Sequence, residues 1–184
     1  MGKEMTYSVK NVKTFNTPDG GGYNATLYCG KTKVANIHDG GYGGCLQYDW
    51  LDTTIGRTGK FNPDQHFEKD FYAFIKTHKI PDFEWDDEKG GFVDIPDEFI
   101  TPTDDLFVGN LVNDFLDMKH LKQALKKEVL VVKYDKGTIH GTGDKPTPEL
   151  VSRYVESLSG EEDKNMGILN SLSFEEAWEI WRNR

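Results

Sequence analysis

The stretch between Asp82 and Asp105 is the densest group of charged side chains in the sequence. It holds ten acidic residues and one base, Lys89, so its local charge equals the −9 of the whole chain. The acids are Asp82, Glu84, Asp86, Asp87, Glu88, Asp94, Asp97, Glu98, Asp104 and Asp105. Carboxylates at this density can bind a divalent cation, attract a basic protein or simply face water.

Calcium binding is one hypothesis, because Asp82, Glu84 and Asp86 alternate as the ligands of a calcium loop do. Counted from Asp82 as the first position, the twelfth is Val93, where such a loop needs a bidentate glutamate. The spacing argues against calcium, and we expect no metal site.

Two interpretations of the acidic stretch remain open. A solvated loop is the simpler one, since exposed carboxylates in water interact by only about 1 kcal/mol per pair. The other is a surface that occupies the basic groove of a nucleic-acid-binding protein. Its apolar anchors would be Phe83, Trp85, Phe92 and Phe99. The predicted contact residues are Asp82, Glu84, Trp85, Asp86, Asp87, Glu88, Asp94, Asp97 and Glu98.

Two glycine-rich breaks could hold a phosphate on bare backbone N–H groups. They are DGGGY from Asp19 and DGGYGG from Asp39, and neither matches a known phosphate loop. Glycine in tight turns between strands is the ordinary explanation. The alternative is a site for a small nucleotide, and its residues would be Gly21, Tyr23, Gly41, Tyr42 and Gly43.

Nucleophilic and acid–base catalysis have weak support in the sequence. His38 and Cys45 could meet across the second glycine break, but Cys45 begins an apolar strand and is expected to be a buried, inert thiol. The tripeptide His140-Gly141-Thr142 resembles half of the paired signature of two-histidine phosphoesterases, and the second half is missing. We expect no catalytic residue and no cofactor.

Composition predicts one folded domain over residues 1–184. Aromatic residues make up 12% of the chain, more than disordered chains carry, and no apolar run is long enough to span a bilayer. The start of the chain lacks the apolar stretch of a secretory signal, which predicts an intracellular protein. A pI near 5.0 predicts repulsion from nucleic acid and from anionic membranes.

The periodicity of the sequence predicts an α+β fold. Residues 1–60 read as an antiparallel β-meander with strands at 5–15, 23–28, 33–38 and 45–50.

Residues 61–127 are expected to be mainly helical, with an acidic loop between the helices. One helix is capped by Asn62 and Pro63, and the other starts at Thr103 and runs to about Lys127.

The sequence of residues 128–184 predicts a β-hairpin and two helices that pack with it. Thr147 caps the first helix, and Ser173 opens the second through a capping box. The segment 159–171 reads as a surface loop.

Several short motifs resemble a family of small uncharacterised proteins of tailed bacteriophages and prophages, over residues 5–135. The motifs are KNVKTF from Lys10, NATLY from Asn24, GGC from Gly43 with Tyr48, LFVGNLV from Leu106 and LKQALK from Leu121. The resemblance implies a phage gene product in the bacterial host cytoplasm and no catalytic residue. It favours an accessory protein that binds and inhibits a host protein, with a nucleotide binder as the alternative.

Overall fold

The computed structural model describes residues 5–51, 66–86, 91–158 and 165–183. These residues form an α+β fold that begins with a four-stranded antiparallel sheet, as predicted. The elements of the first part are β1 (Tyr7–Thr17), β2 (Gly20–Cys29), β3 (Thr32–Asp39), β4 (Gln47–Trp50), α1 (Phe67–Thr77), β5 (Ile80–Asp86) and β6 (Gly91–Ile100). The remaining elements are α2 (Asp104–Lys127), β7 (Leu130–Lys133), β8 (Thr138–Gly141), α3 (Pro148–Ser157), β9 (Met166–Ile168) and α4 (Phe174–Arg182).

The chain divides into two compact units, Met1–Phe115 and Leu116–Arg184, with the boundary inside α2. Cooperative folding of residues 1–184 as one domain stays a prediction.

The first unit is built on the antiparallel sheet β1-β2-β3-β4. The register pairs Leu27 with Ala35 and Ile37 with Tyr48, so these residues share one face, and that face is buried. Because side chains alternate along a strand, the residues between them form the opposite face of the sheet.

Aromatic rings join α1 to the buried face of the sheet. Phe71 is fully buried, and its ring centroid lies 5.2 Å from that of Tyr7 and 5.5 Å from that of Trp50. Phe107 of α2 packs against the same ring at 6.0 Å. The helical spacing of the phenylalanines predicts this helix, whereas its predicted caps, Asn62 and Pro63, lie outside the described residues.

The predicted acidic loop is wrong, because much of the acidic stretch forms a two-stranded antiparallel hairpin, β5–β6. We call it the acidic hairpin. Alternating large apolar residues favour strands, and this outweighs the acidic composition. Pro81 and Pro96 are tolerated because each strand of a two-stranded ribbon is an edge.

The second unit holds a three-stranded sheet of order β8-β7-β9 with α3 and α4. Its buried core contains Leu121, Leu130, Val132, Leu169 and Ala177.

Helix caps in the second unit confirm the sequence predictions. The Thr147 hydroxyl accepts a hydrogen bond from Leu150 N at 3.2 Å. Ser173 N donates to Glu176 Oε2 at 2.9 Å, and Glu176 N donates to Ser173 Oγ at 3.2 Å, which completes the predicted capping box.

The predicted loop at 159–171 is also wrong where the structure describes it. It contains β9 and a 3-10 turn at Leu169–Ser171. Asn170 holds this segment in place through two hydrogen bonds. Its side chain accepts from Leu130 N at 2.7 Å and donates to Leu125 O at 2.9 Å. A long-range contact of this kind leaves no periodic signal in the sequence.

None of the helices in the described ranges is long and apolar enough to cross a bilayer.

Candidate functional site

The acidic hairpin carries three carboxylates along β5. Glu84 and Asp86 occupy alternate positions in the regular part of the ladder, and residues two apart on a regular strand share a face. Asp82 precedes them at a register irregularity between Pro81 and Phe83. We call these three residues the acid face. Glu84 is exposed, whereas Asp82 and Asp86 are half-buried.

Two carboxylates of the acid face, those of Asp82 and Glu84, keep their charge available to an outside group. Asp82 Oδ1 accepts a hydrogen bond of 2.8 Å from the backbone N–H of Phe83. Within the described ranges, neither Asp82 nor Glu84 forms an ion pair with a lysine or arginine.

The second strand adds an exposed aromatic ring to the hairpin. Phe99 is 62% exposed and lies opposite Pro81 in the ladder, and its neighbour Glu98 is also exposed. Cross-strand partners share a face, so the register places the Phe99 ring beside Pro81 and not beside the acid face. A large exposed ring is typical of an anchor at a protein interface.

The structure describes only part of the predicted contact set. The backbones of Trp85, Asp94 and Asp97 lie in the two strands, but their side chains are outside what the structure describes. Asp87 and Glu88 lie outside the described residues altogether.

Asp104 and Asp105, at the end of the acidic stretch, have a structural role in the first turn of α2. Tyr72 Oη donates to Asp104 Oδ2 at 3.3 Å, and Leu46 N donates to Asp105 Oδ1 at 3.0 Å. These carboxylates fix α1 and the chain before β4 to the helix start, where the helix dipole favours negative charge.

Burial and neighbouring carboxylates raise the pKa values of three tyrosine hydroxyls, those of Tyr72, Tyr48 and Tyr23. Burial, followed by the charge and hydrogen bond of Asp104, raises the pKa of Tyr72 to about 12. Burial and then Asp104 also raise the pKa of Tyr48, whose buried hydroxyl lies near that carboxylate but meets no partner in good hydrogen-bonding geometry among the described residues. Tyr23 is half-buried, and burial followed by the charge of Asp39 raises its pKa to about 12. These phenols are neutral near pH 7.

The two glycine-rich breaks do meet, but through their backbones. A Cβ on Gly41, whose φ is +72°, would lie 2.8 Å from Gly22 N and 2.9 Å from Gly21 C. Thr17 Oγ1 donates to Gly41 O at 3.1 Å, and Gly41 N donates to Asp39 Oδ1 at 2.8 Å. Close packing therefore accounts for Gly41.

The other residues of the predicted nucleotide site diverge. Tyr23 is half-buried, Tyr42 is 67% exposed, and a Cβ on Gly43 would meet nothing within 4 Å.

The candidate catalytic pair His38 and Cys45 is not brought together by any contact that the structure describes. His38 Nδ1 lies 2.9 Å from Asn24 Oδ1, and its ring stacks on Phe15. Cys45 is exposed and precedes β4, so the expectation of a buried strand cysteine is wrong. The glycine break carries the chain past Cys45 before pairing resumes at Gln47.

Metal-binding geometry is not found within the described ranges, where no three histidine, cysteine or acidic side chains are grouped around a point.

The second unit contains an apolar groove that no sequence motif indicates. It has a volume of about 430 Å³ and lies between Leu125, Pro146, Val151 and Phe174. A neighbouring groove of about 420 Å³ shares Phe174 and is bordered by three glutamates of α4. The residues come from separate elements, which explains why no local motif marks them.

Comparisons of this chain with protein-family models, with curated protein sequences and with solved structures find no significant match.

Proposed function

We propose that this protein binds and inhibits a host protein with a basic surface, and that the acid face of β5 forms the central contact. The observation that supports the proposal is that Glu84 and Asp86 share one side of the regular part of β5, with Asp82 two residues before them at the register irregularity. At the rise of an extended strand, such carboxylates follow one another at about 7 Å, which produces a line of negative charge.

A groove that binds nucleic acid is the surface that best fits this line. Such grooves place lysine and arginine along a path of phosphates, and a row of carboxylates satisfies the same charges. Charge complementarity speeds the encounter and sets the orientation, while it adds less to the lifetime of the complex. Phe99, on the side of Pro81, would supply an apolar contact that lengthens the lifetime when the partner also covers this side of the hairpin.

The setting that we propose is the cytoplasm of a bacterial host. The resemblance of several short motifs to proteins of tailed phages supports it. A phage protein that occupies the groove of a host nuclease or another defence factor would act by exclusion of the nucleic acid, and we propose no enzymatic activity of its own.

Affinity capture from bacterial lysate tests the proposal. The full chain is immobilised and compared with an acid-face variant, D82N/E84Q/D86N, and with a control variant, D19N/D135N/E156Q, which removes three exposed carboxylates elsewhere. We expect wild type and control to retain the same host protein at about 50 mM salt and to release it at about 500 mM, where screening extends over only a few ångströms.

Retention of the same host protein by the acid-face variant at low salt would contradict the proposal. Capture that survives high salt unchanged would contradict it as well, since the contact would then not depend on charge.

A nucleotide site at the glycine-rich breaks has less support. Close backbone packing accounts for Gly41, and no contact between the described residues favours a ligand there.

A further inference from the structure

The face of the N-terminal sheet opposite the buried core carries a pattern that the acidic hairpin does not explain. The register places Lys10 opposite Thr26, Thr26 opposite Asn36, and Tyr28 opposite Lys33. The same face continues through Lys13, Phe15, Asn24, His38, Gln47 and Asp49. We call it the lysine face.

Two β-bulges concentrate lysines on this side. Lys10 and Lys13 are three residues apart, so a regular strand would place them on opposite faces. Because their partners Thr26 and Asn24 are two apart, the bulge at Asn11, where φ is +56°, keeps both lysines on one face.

The bulge in β3 has the same effect on Lys33. It stands three residues from Asn36, yet their partners Tyr28 and Thr26 lie on one face. All three lysines are exposed.

Aromatic rings lie between the lysines. Lys10 Nζ lies 4.6 Å from the centroid of the Tyr28 ring, and Lys33 is the cross-strand neighbour of Tyr28. At the other end of the face, the Phe15 ring stacks on the His38 ring with centroids 5.9 Å apart and an angle of 17°. The Phe15 ring lies over Gly22, where a Cβ would come within 2.6 Å of it.

The charge of this face is opposite to that of the whole chain. Among the residues that the four strands place here, Asp49 is the one carboxylate, and its Oδ2 accepts a hydrogen bond of 3.0 Å from Asn36 Nδ2. Three lysines against one carboxylate make the face positive, although the chain carries −9 overall. The repulsion of nucleic acid that the net charge predicts does not hold for this surface by itself.

We propose that the lysine face binds single-stranded nucleic acid. Lys10, Lys13 and Lys33 would contact phosphates, while Tyr28 and the Phe15–His38 pair offer two separate surfaces on which bases stack. Asn24 and Asn36 add amide groups between these surfaces. A single strand fits better than a duplex, because only unpaired bases can turn their faces to the rings.

Fluorescence anisotropy with labelled homopolymers tests the site. The probes are oligothymidylate and oligouridylate of about twelve nucleotides and a duplex of the same length, titrated with the full chain at about 50 to 200 mM salt. We expect both single strands to bind more tightly than the duplex. Three phosphate contacts predict a slope of log K against log salt of about −2.

Variants separate stacking from charge. Tyr28→Ala should weaken binding by roughly tenfold, and Tyr28→Phe should restore it because the ring face is kept. K10Q/K13Q/K33Q should flatten the salt slope, whereas K69Q/K76Q/K119Q, which removes three exposed lysines elsewhere, should leave it unchanged.

No anisotropy change with either single strand at low salt would overturn the proposal. Equal losses in the two triple lysine variants, or unchanged binding by Tyr28→Ala, would overturn it too. These results leave the acid face untouched, since the two surfaces share no residue.

Discussion

Tyr72 Oη donates a hydrogen bond of 3.3 Å to Asp104 Oδ2, and this contact ties α1 to the first turn of α2. The acids of residues 82–105 therefore form two groups with different roles. Asp104 and Asp105 hold parts of the first unit together. Asp82 and Glu84, by contrast, form no ion pair with a lysine or arginine within the described ranges.

The phenols beside Asp104 predict a loss of stability in alkali. Because the folded protein raises the pKa of Tyr72 to about 12 and that of Tyr48 as well, folding favours their neutral forms. The unfolded chain ionises near pH 10. Stability from this source is complete below about pH 10 and is lost as the pH rises toward 12 and beyond.

Tyr48→Phe tests this explanation. It removes a buried hydroxyl without a well-formed hydrogen bond, so stability at pH 7 should be unchanged or higher by up to about 1 kcal/mol, and the alkaline loss should shrink. Urea unfolding at pH 7 and at intervals above pH 10 measures both effects. Tyr72→Phe is the control, because it removes a hydroxyl that has a partner. A larger loss at pH 7 from Tyr48→Phe than from Tyr72→Phe would be inconsistent with the geometry.

Gly41→Ala should destabilise the first unit more than Gly43→Ala. Both glycines have φ near +70°, so each alanine carries about 1 kcal/mol of left-handed strain. Only at Gly41 does the new methyl group also meet backbone atoms within 3 Å. Thermal unfolding of the two variants measures the difference. Equal losses of stability would show that the close approach of the two glycine breaks does not contribute to stability.

Ser173→Ala should cost about 1 kcal/mol, because it removes the cap of α4. Hydrogen bonds from the Ser173 backbone and hydroxyl lower the pKa of Glu176, so the stability linked to this carboxylate is present above its ordinary pKa and is lost as the pH falls. The variant should therefore lose less stability than wild type between pH 5 and pH 3 in thermal melts. A parallel shift of both curves would contradict the linkage.

Phe99→Ala should weaken partner binding and leave stability within about 0.5 kcal/mol of wild type, since the ring is largely exposed. Capture from lysate and a thermal melt on the same preparation measure the two effects. Tyr42→Ala removes another exposed ring and should change neither. A fall in stability with unchanged capture would make Phe99 part of the fold rather than an anchor.

Much of the fold could be predicted from local patterns in the sequence. The glycine breaks with alternating residues correctly predict the meander, and the caps at Thr147 and Ser173 begin helices as their chemistry requires. The acidic hairpin was predicted as a loop because ten acids and two prolines obscure the alternation of its apolar residues.

The lysine face could not be predicted by counting positions. A period of two assigns Lys10 and Lys13 to opposite sides, and only the bulge at Asn11 brings them together. Net charge hides the face as well, because a sum over the chain contains no information on where the charges lie.

The most direct test of the proposed function is the dissociation constant of the captured host protein for the acid-face variant and for the control variant at about 50 mM salt. Both variants lose three negative charges, so their net charge is equal and only the position differs. The account predicts at least a tenfold weaker complex for D82N/E84Q/D86N and a complex within about twofold of wild type for D19N/D135N/E156Q. Equal affinities of the two variants would contradict it.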